Sequence, residues 1–171
     1  MDSEKNIERE FLSAYDKYAD EIFRYLYFRL PDRDTARDLS QEAFLRAWKS
    51  VSEGKKVENV RAFLYRIARN LSVDFYRKKK EEHLEEVLGE GADIPDEVIQ
   101  RDFLEAEAVR ALLLLIEEKQ RDAITMRFLN ELTIKEIAKA TGVTETLVSV
   151  RIYRGLKKLR KLHGEKDAGI Q

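Results

Sequence analysis

Glu131–Lys161 reads ELTIKEIAKATGVTETLVSVRIYRGLKKLRK. Thr133 and Glu136 form T-x-x-E, the spacing of a capping box, so a helix opens there. Gly142 supplies the left-handed residue that a sharp turn requires. Val143 packs in the angle of that turn, and Thr144 caps a second, longer helix ending in Lys157, Lys158, Arg160 and Lys161. Ile134, Ile137 and Ala138 face inward from the first helix, and Val148, Ile152, Leu156 and Leu159 form the buried stripe of the second. This is the layout of a helix-turn-helix, whose second helix enters the DNA major groove. Glu145, Thr146, Ser149, Val150, Tyr153 and Arg154 then point outward. Hydroxyls and guanidiniums bond base edges or phosphates, and Val150 suits a thymine methyl. A helical hairpin with a basic solvated face carries the same pattern, so the motif needs support from elsewhere in the chain.

The rest of the composition narrows the classes. The chain has 171 residues, enough for one compact domain or two small ones. There is no Cys, which excludes disulfides and thiolate metal sites. His83 and His163 lie far apart without ligand-like spacing, so neither metal nor cofactor is expected. A Gly-rich phosphate loop and a nucleophile–base pair are both missing, which argues against an enzyme. The longest apolar run, Ala111–Ile116, is far short of the roughly 20 residues of a membrane span, and the charged N-terminus has no signal-peptide core. The expected location is the cytoplasm. A net charge of −1 conceals strong segregation. Residues 1–80 carry 18 basic and 14 acidic side chains, residues 81–110 carry 2 and 11, and residues 111–171 carry 12 and 8. Two basic blocks therefore flank an acidic one, which the whole-chain pI hides.

Apolar residues recur at helical spacing through both basic blocks, and nothing alternates with period two, so the fold class is all-α. Ile7 to Leu30 reads as one amphipathic helix ended by Pro31. Asp32 or Asp34 caps a second, with Ala36, Leu39, Ala43, Phe44, Ala47 and Trp48 on its apolar face. Residues 52–59, polar and containing Gly54, read as a loop before a third helix from about Val60 to Lys80. Residues 81–102, with Gly89, Gly91, Pro95 and dense negative charge, read as an acidic flexible linker with room for a short helical stub. Helices resume near Phe103 and run into the helix-turn-helix, with residues 163–171 as a short polar tail.

Two further stretches make the pattern specific: ARDLSQEAFLRAW (Ala36–Trp48) and NVRAFLYRIARNLSVDFYRKKK (Asn59–Lys80). With the helix-turn-helix they resemble the extracytoplasmic-function (ECF, group IV) sigma factors of the sigma-70 family. That family's region 2 shows D-L-x-Q-E-x-F-x-x-x-W, matched from Asp38 to Trp48. It also shows Y-R-I-A-x-N-x-x-x-D-x-x-R, matched by Tyr65, Arg66, Ile67, Ala68, Asn70, Asp74 and Arg77. Region 4 matches from about Arg121 to Leu159.

The resemblance implies two small helical domains, region 2 (residues 1–80) and region 4 (residues 103–162), joined by the acidic linker. It implies a transcription initiation factor that binds core RNA polymerase, recognises the promoter −35 and −10 elements and promotes DNA melting. Asp38, Gln41 and Glu42 would contact core polymerase. Arg66, Arg69, Asn70, Arg77, Lys78, Lys79 and Lys80 would hold the −10 strand, with a flipped-out base against the loop 52–59. Arg127, Thr146, Ser149, Val150, Tyr153, Arg154 and Lys157 would read the −35 duplex. Asp74 would orient an Arg, and Trp48 and Phe63 would pack in the core rather than stack on bases. Leu147, Ser149 and Val150 depart from the family's usual Thr, basic residue and Ser, which implies a shifted or relaxed −35 preference. Gly155 stands where Ala is common and weakens its helix slightly. The acidic linker suits either a nucleic-acid mimic near the RNA exit path or a plain spacer. An anti-sigma protein, often membrane-bound in this family, is the further expected partner. Two other readings stay open: a stand-alone helix-turn-helix regulator binding duplex operators, and a helical adaptor that binds no DNA.

Overall fold

The computed structural model describes residues 2–85 and 101–168, and these form helices joined by turns. Residues 86–100, most of the expected linker, and residues 169–171 lie outside the described residues. Helix α1 spans Asp2–Tyr27, α2 Arg33–Ser52 and α3 Val60–Glu85. After the linker come α4 (Arg101–Leu113), α5 (Glu118–Ile124), a π-helical turn (Thr125–Leu129), α6 (Ile134–Thr141) and α7 (Glu145–Ala168).

Local chemistry explains most of the boundaries. Asp32 is the N-cap of α2, its carboxylate accepting the Thr35 N–H at 2.7 Å. Asn59 does the same for α3, its Oδ1 accepting the Ala62 N–H at 2.9 Å. α3 continues through Glu81–Glu85, residues that the charge count assigns to the linker. Glu, Lys and Leu are strong helix formers and no Gly or Pro intervenes before Gly89, so charge alone does not stop the helix.

The helix-turn-helix forms as the local signals require. Thr133 and Glu136 complete a reciprocal capping box, and Gly142 closes α6 at φ 71°. The Thr144 hydroxyl accepts the Leu147 N–H and starts α7. Val148 and Ile137 are fully buried, and Ile152 nearly so. The turn between α5 and α6 is less regular than the sequence suggests. Asn130 N–H reaches the Thr125 carbonyl at 3.1 Å, an i→i+5 bond, and Glu131 then takes φ 57°. Phe128, on this π-helical turn, is 54% exposed.

One glycine has a packing role that the sequence reading does not see. A Cβ on Gly155 would meet Ile124 Cδ1 at 2.5 Å and Gln120 Cβ at 3.1 Å, so α5 lies directly against the α7 backbone. Gly155→Ala is expected to leave stability nearly unchanged, because the helix propensity gain of about 1 kcal/mol offsets the crowding. Gly155→Leu is expected to cost about 1–3 kcal/mol by overpacking, measured by urea unfolding. Equal stability of the two variants would remove close approach as the reason for the glycine.

The helices form two units, α1–α3 and α4–α7, that share one apolar core. Ile22, Tyr25, Leu26, Leu64, Tyr65 and Ala68 from the first unit join Ala123, Met126, Leu132, Ile137 and Val148 from the second in a continuous buried cluster. α3 lies against α6, and α1 touches the π-helical turn.

Candidate nucleic-acid interface

α7 presents one outward face. Thr146, Ser149, Arg154 and Lys157 are exposed, Tyr153 is 67% exposed, and Val150 is half-buried beside them. Ser149 Oγ donates back to the Glu145 carbonyl at 3.1 Å, leaving its lone pairs outward. Arg127 is exposed and is separated in sequence from this face. Its Nη1 donates to the Leu132 carbonyl at 2.9 Å, which braces the turn before α6.

On α2, Asp38 and Gln41 are exposed, and half-buried Glu42 accepts from Arg46 Nε at 2.7 Å. Spacings of three and four residues set these side chains on one stripe, and Leu45 continues it. Leu45 is 63% exposed, an apolar side chain on an otherwise polar face. Sequence reasoning passed over it because it sits one residue after the apolar Phe44.

On α3, Asn70 is exposed, and so are Arg77, Lys78, Lys79 and Lys80. Arg77 pairs with Asp74 at 3.2 Å, and Lys79 Nζ lies 5.8 Å from the Phe75 ring centroid. Gly54, at φ 93°, lets the loop 52–59 fold back toward α3. A cleft between this loop and α3 is lined by Lys55, Lys56, Asn59, Phe63 and Arg66, with Lys139 of α6 on its far side. Phe63 is half-buried under Lys55 Nζ at 4.7 Å. Trp48 belongs to an aromatic cluster with Phe11 (centroids 5.1 Å apart), next to Phe44 and Tyr15.

Besides Arg77, two of the predicted strand-holding cations are already engaged. Arg66 Nη2 donates to the Lys139 carbonyl at 2.6 Å, and Arg69 Nε to Asp122 Oδ2 at 3.0 Å. Asp122 is 3% exposed and also meets Arg29 and the Tyr25 hydroxyl. Arg29, itself 3% exposed, reaches Glu118 as well. Arg61 holds Glu21 through a two-pronged pair at 2.8 Å, faces Glu136 at 3.3 Å and donates to the Asn130 carbonyl at 2.7 Å. Burial works to raise the Glu136 carboxyl, but bonds from Thr133 and the Arg61 guanidinium outweigh it and hold the group below the usual value. Burial pushes the Tyr25 hydroxyl up, so it is a neutral donor to Asp122. Sequence reasoning missed Arg29, Arg61 and Asp122, whose partners lie far away in the chain.

This arrangement joins an exposed recognition helix to a basic, Asn-bearing helix and a loop cleft. The Sigma-70 region 2 profile matches residues 14–82, and the Sigma-70 region 4 profile matches residues 106–159. Over 169 residues the chain is 31% identical to the ECF RNA polymerase sigma factor SigW of Bacillus subtilis, covering 92% of this chain and 90% of that protein. The chain belongs to the ECF sigma factors of the sigma-70 family. This sigma factor is also 32% identical over 162 residues to the ECF sigma factor BldN of Streptomyces coelicolor, covering 89% of this chain and 60% of that one. Its fold is that of the sigma factor RpoE in complex with the anti-sigma factor NepR from Bartonella quintana. The TM-score is 0.74 at 21% identity, over 91% of this chain and 98% of that chain. It is an RNA polymerase-associated transcription initiation factor. Its relatives are sigma factors, which are not enzymes. No helix among the described residues is long and apolar enough to cross a membrane.

Proposed function

We propose that this sigma factor works through two DNA-reading surfaces and one polymerase-docking stripe. Residues 1–80 act as the polymerase- and −10-binding domain, 81–102 as the connector, 103–162 as the −35-binding domain and 163–171 as a tail. Asp38, Gln41 and Glu42, extended by exposed Leu45, dock α2 on core polymerase. The loop 52–59 receives an unstacked base, and Arg66, Arg69, Asn70, Arg77, Lys78, Lys79 and Lys80 hold the −10 strand. Arg127, Thr146, Ser149, Val150, Tyr153, Arg154 and Lys157 meet the −35 duplex, with Arg127 also bracing the turn. Binding only the unpaired −10 strand shifts the duplex toward melting, because a ligand moves an equilibrium by its differential affinity. The partners are core RNA polymerase, promoter DNA and an anti-sigma protein, and the location is the cytoplasm. The exposed polar face of α7, in a chain matched in order by both sigma regions, carries this reading. A free-standing operator binder has no observation of its own in its favour.

The test is in vitro transcription with bacterial core RNA polymerase on a randomised promoter library. Protein-dependent initiation at enriched −35 and −10 motifs is expected, with a −35 preference shifted or relaxed by Leu147, Ser149 and Val150. No initiation together with no core binding overturns the reading. Arg154→Ala is expected to weaken −35 duplex binding by about 1–3 kcal/mol if the guanidinium reads a base. A phosphate contact would instead reduce the slope of log K against log salt by about one. Fluorescence anisotropy titrations at several salt concentrations, with core present, separate the two outcomes.

A further inference from the structure

Two apolar side chains stand among the polar ones on the outward side of α7. Leu147, in the first turn, is 40% exposed, and half-buried Val150 follows it three residues on. That spacing makes the two neighbours on one helix face. Val148 and Ile152, at 0% and 9% exposure, take the inward side. The Leu147 N–H donates to the Thr144 hydroxyl that caps the helix, which fixes the residue in that first turn. Ser149 lies between the two, and its hydroxyl donates to the Glu145 carbonyl at 3.1 Å. Ser149 can therefore accept from a base edge but not donate to one. Residues 145–150 include no Arg, Lys, Asn or Gln, the side chains that pair bidentately with guanine or adenine. The exposed cations Arg154 and Lys157 stand one and two turns beyond Val150.

Base edges in the major groove present hydrogen-bond donors and acceptors with one exception, the C5 methyl of thymine. A cytosine methylated at C5 carries the same apolar group. An apolar side chain facing the groove therefore has one kind of partner. Three residues of helix advance about 4.5 Å, a little more than the roughly 3.4 Å between successive bases of a strand. Leu147 and Val150 thus match two neighbouring pyrimidines.

We propose that Leu147 and Val150 read the C5 methyl groups of two neighbouring pyrimidines in the −35 major groove. This inference rests on the −35-binding reading above and adds two things to it. Leu147 joins the contact set, and the altered preference is assigned to a chemical group. At either position a thymine loses affinity when uracil replaces it, and a cytosine gains affinity on C5 methylation. Cytosine methylation inside a −35 element is then a mark that this sigma factor registers.

The experiment uses the full chain with core RNA polymerase and a fluorescein-labelled duplex bearing the −35 motif selected from the randomised library. The motif is expected to contain neighbouring thymines. Each thymine is replaced in turn by deoxyuridine, which removes the methyl and leaves every hydrogen-bonding atom in place. Two neighbouring positions are expected to lose affinity about fourfold each, the value of one methyl-sized apolar contact, and about tenfold together. A cytosine placed at either position is expected to gain about fourfold on C5 methylation. Leu147→Thr combined with Val150→Thr then assigns the contacts, since Thr has the shape of Val and Leu147 is exposed. The double variant should bind thymine and uracil duplexes equally. Flat affinity across all uracil substitutions overturns the proposal on the parent chain alone, whether or not the variant folds. Uracil penalties that persist unchanged in the double variant also overturn it, because the methyl then meets another side chain such as Tyr153. A selected motif without neighbouring thymines is a third result against it. Absence of core-dependent initiation from every library member would instead sink the sigma reading, and this inference with it.

Discussion

Val148→Asp is expected to unfold the helix-turn-helix and abolish −35 binding. Val148 is fully exposed to neither solvent nor a polar partner; it sits at 0% exposure in a cluster with Ile137, Ala138 and Ala140. An ionised carboxylate there has no counter-ion, and burying it costs several kcal/mol unless it takes up a proton. Total stabilities of small domains are only about 5–15 kcal/mol, so this single change consumes a large share. Thr146→Asp is the matched control two residues earlier. Thr146 is exposed and lies in the first turn of α7, where a carboxylate is favourable to the helix dipole. Its stability should stay within about 0.5 kcal/mol of the parent chain while −35 affinity falls through repulsion from phosphate. Urea unfolding and duplex titration give the two quantities. Cooperative unfolding of Val148→Asp at the parent midpoint would contradict the burial argument.

Asn70→Ala carries the second large effect, and it is purely functional. Asn70 is exposed in mid-α3, and Ala is the better helix former, so the fold loses nothing. Open-complex formation is expected to fall by about 5- to 150-fold, the equivalent of 1–3 kcal/mol for one lost contact to an unstacked base. Core polymerase binding, proposed for the α2 stripe, should not change. Permanganate footprinting of the melted region and a core-binding titration measure these separately. Unaltered opening would remove Asn70 from the −10 site.

The features that were legible in the sequence are those whose cause is local. The Thr133–Glu136 capping box, the left-handed Gly142 and the Asp32 cap each join a side chain or one backbone torsion to groups within four residues. The buried stripe of α7 followed from helical periodicity, and the aromatic packing of Trp48 from its place on the apolar face of α2. Charge count does not mark where α3 stops, at Glu85, because helix propensity and net charge are independent properties of a Glu-rich run. The interdomain network was not legible. Tyr25 and Asp122 are 97 residues apart, and nothing in the local pattern of α5 sets Asp122 apart from an ordinary exposed acid. Gly155 looked like a minor weakness because the sequence does not show which helix lies against it. For the candidate site, exposure agrees with the predicted α7 face except at half-buried Val150, whereas Arg66 and Arg69 turned out to have intramolecular partners.

Helix α5 is only seven residues long, yet it has two fixed edges. One lies against the backbone of α7 at Gly155, and the other sends Asp122 into the N-terminal unit. With no side chain on residue 155, Ile124 and Gln120 of α5 pack against bare α7 backbone and leave little slack, and close-packed interiors transmit displacement rather than absorb it. The short helix therefore works as a lever whose fulcrum is Gly155. A displacement of α7 would be felt at the Asp122 end. Residue 155 then sets how firmly the Asp122 end of α5 is seated against the N-terminal unit.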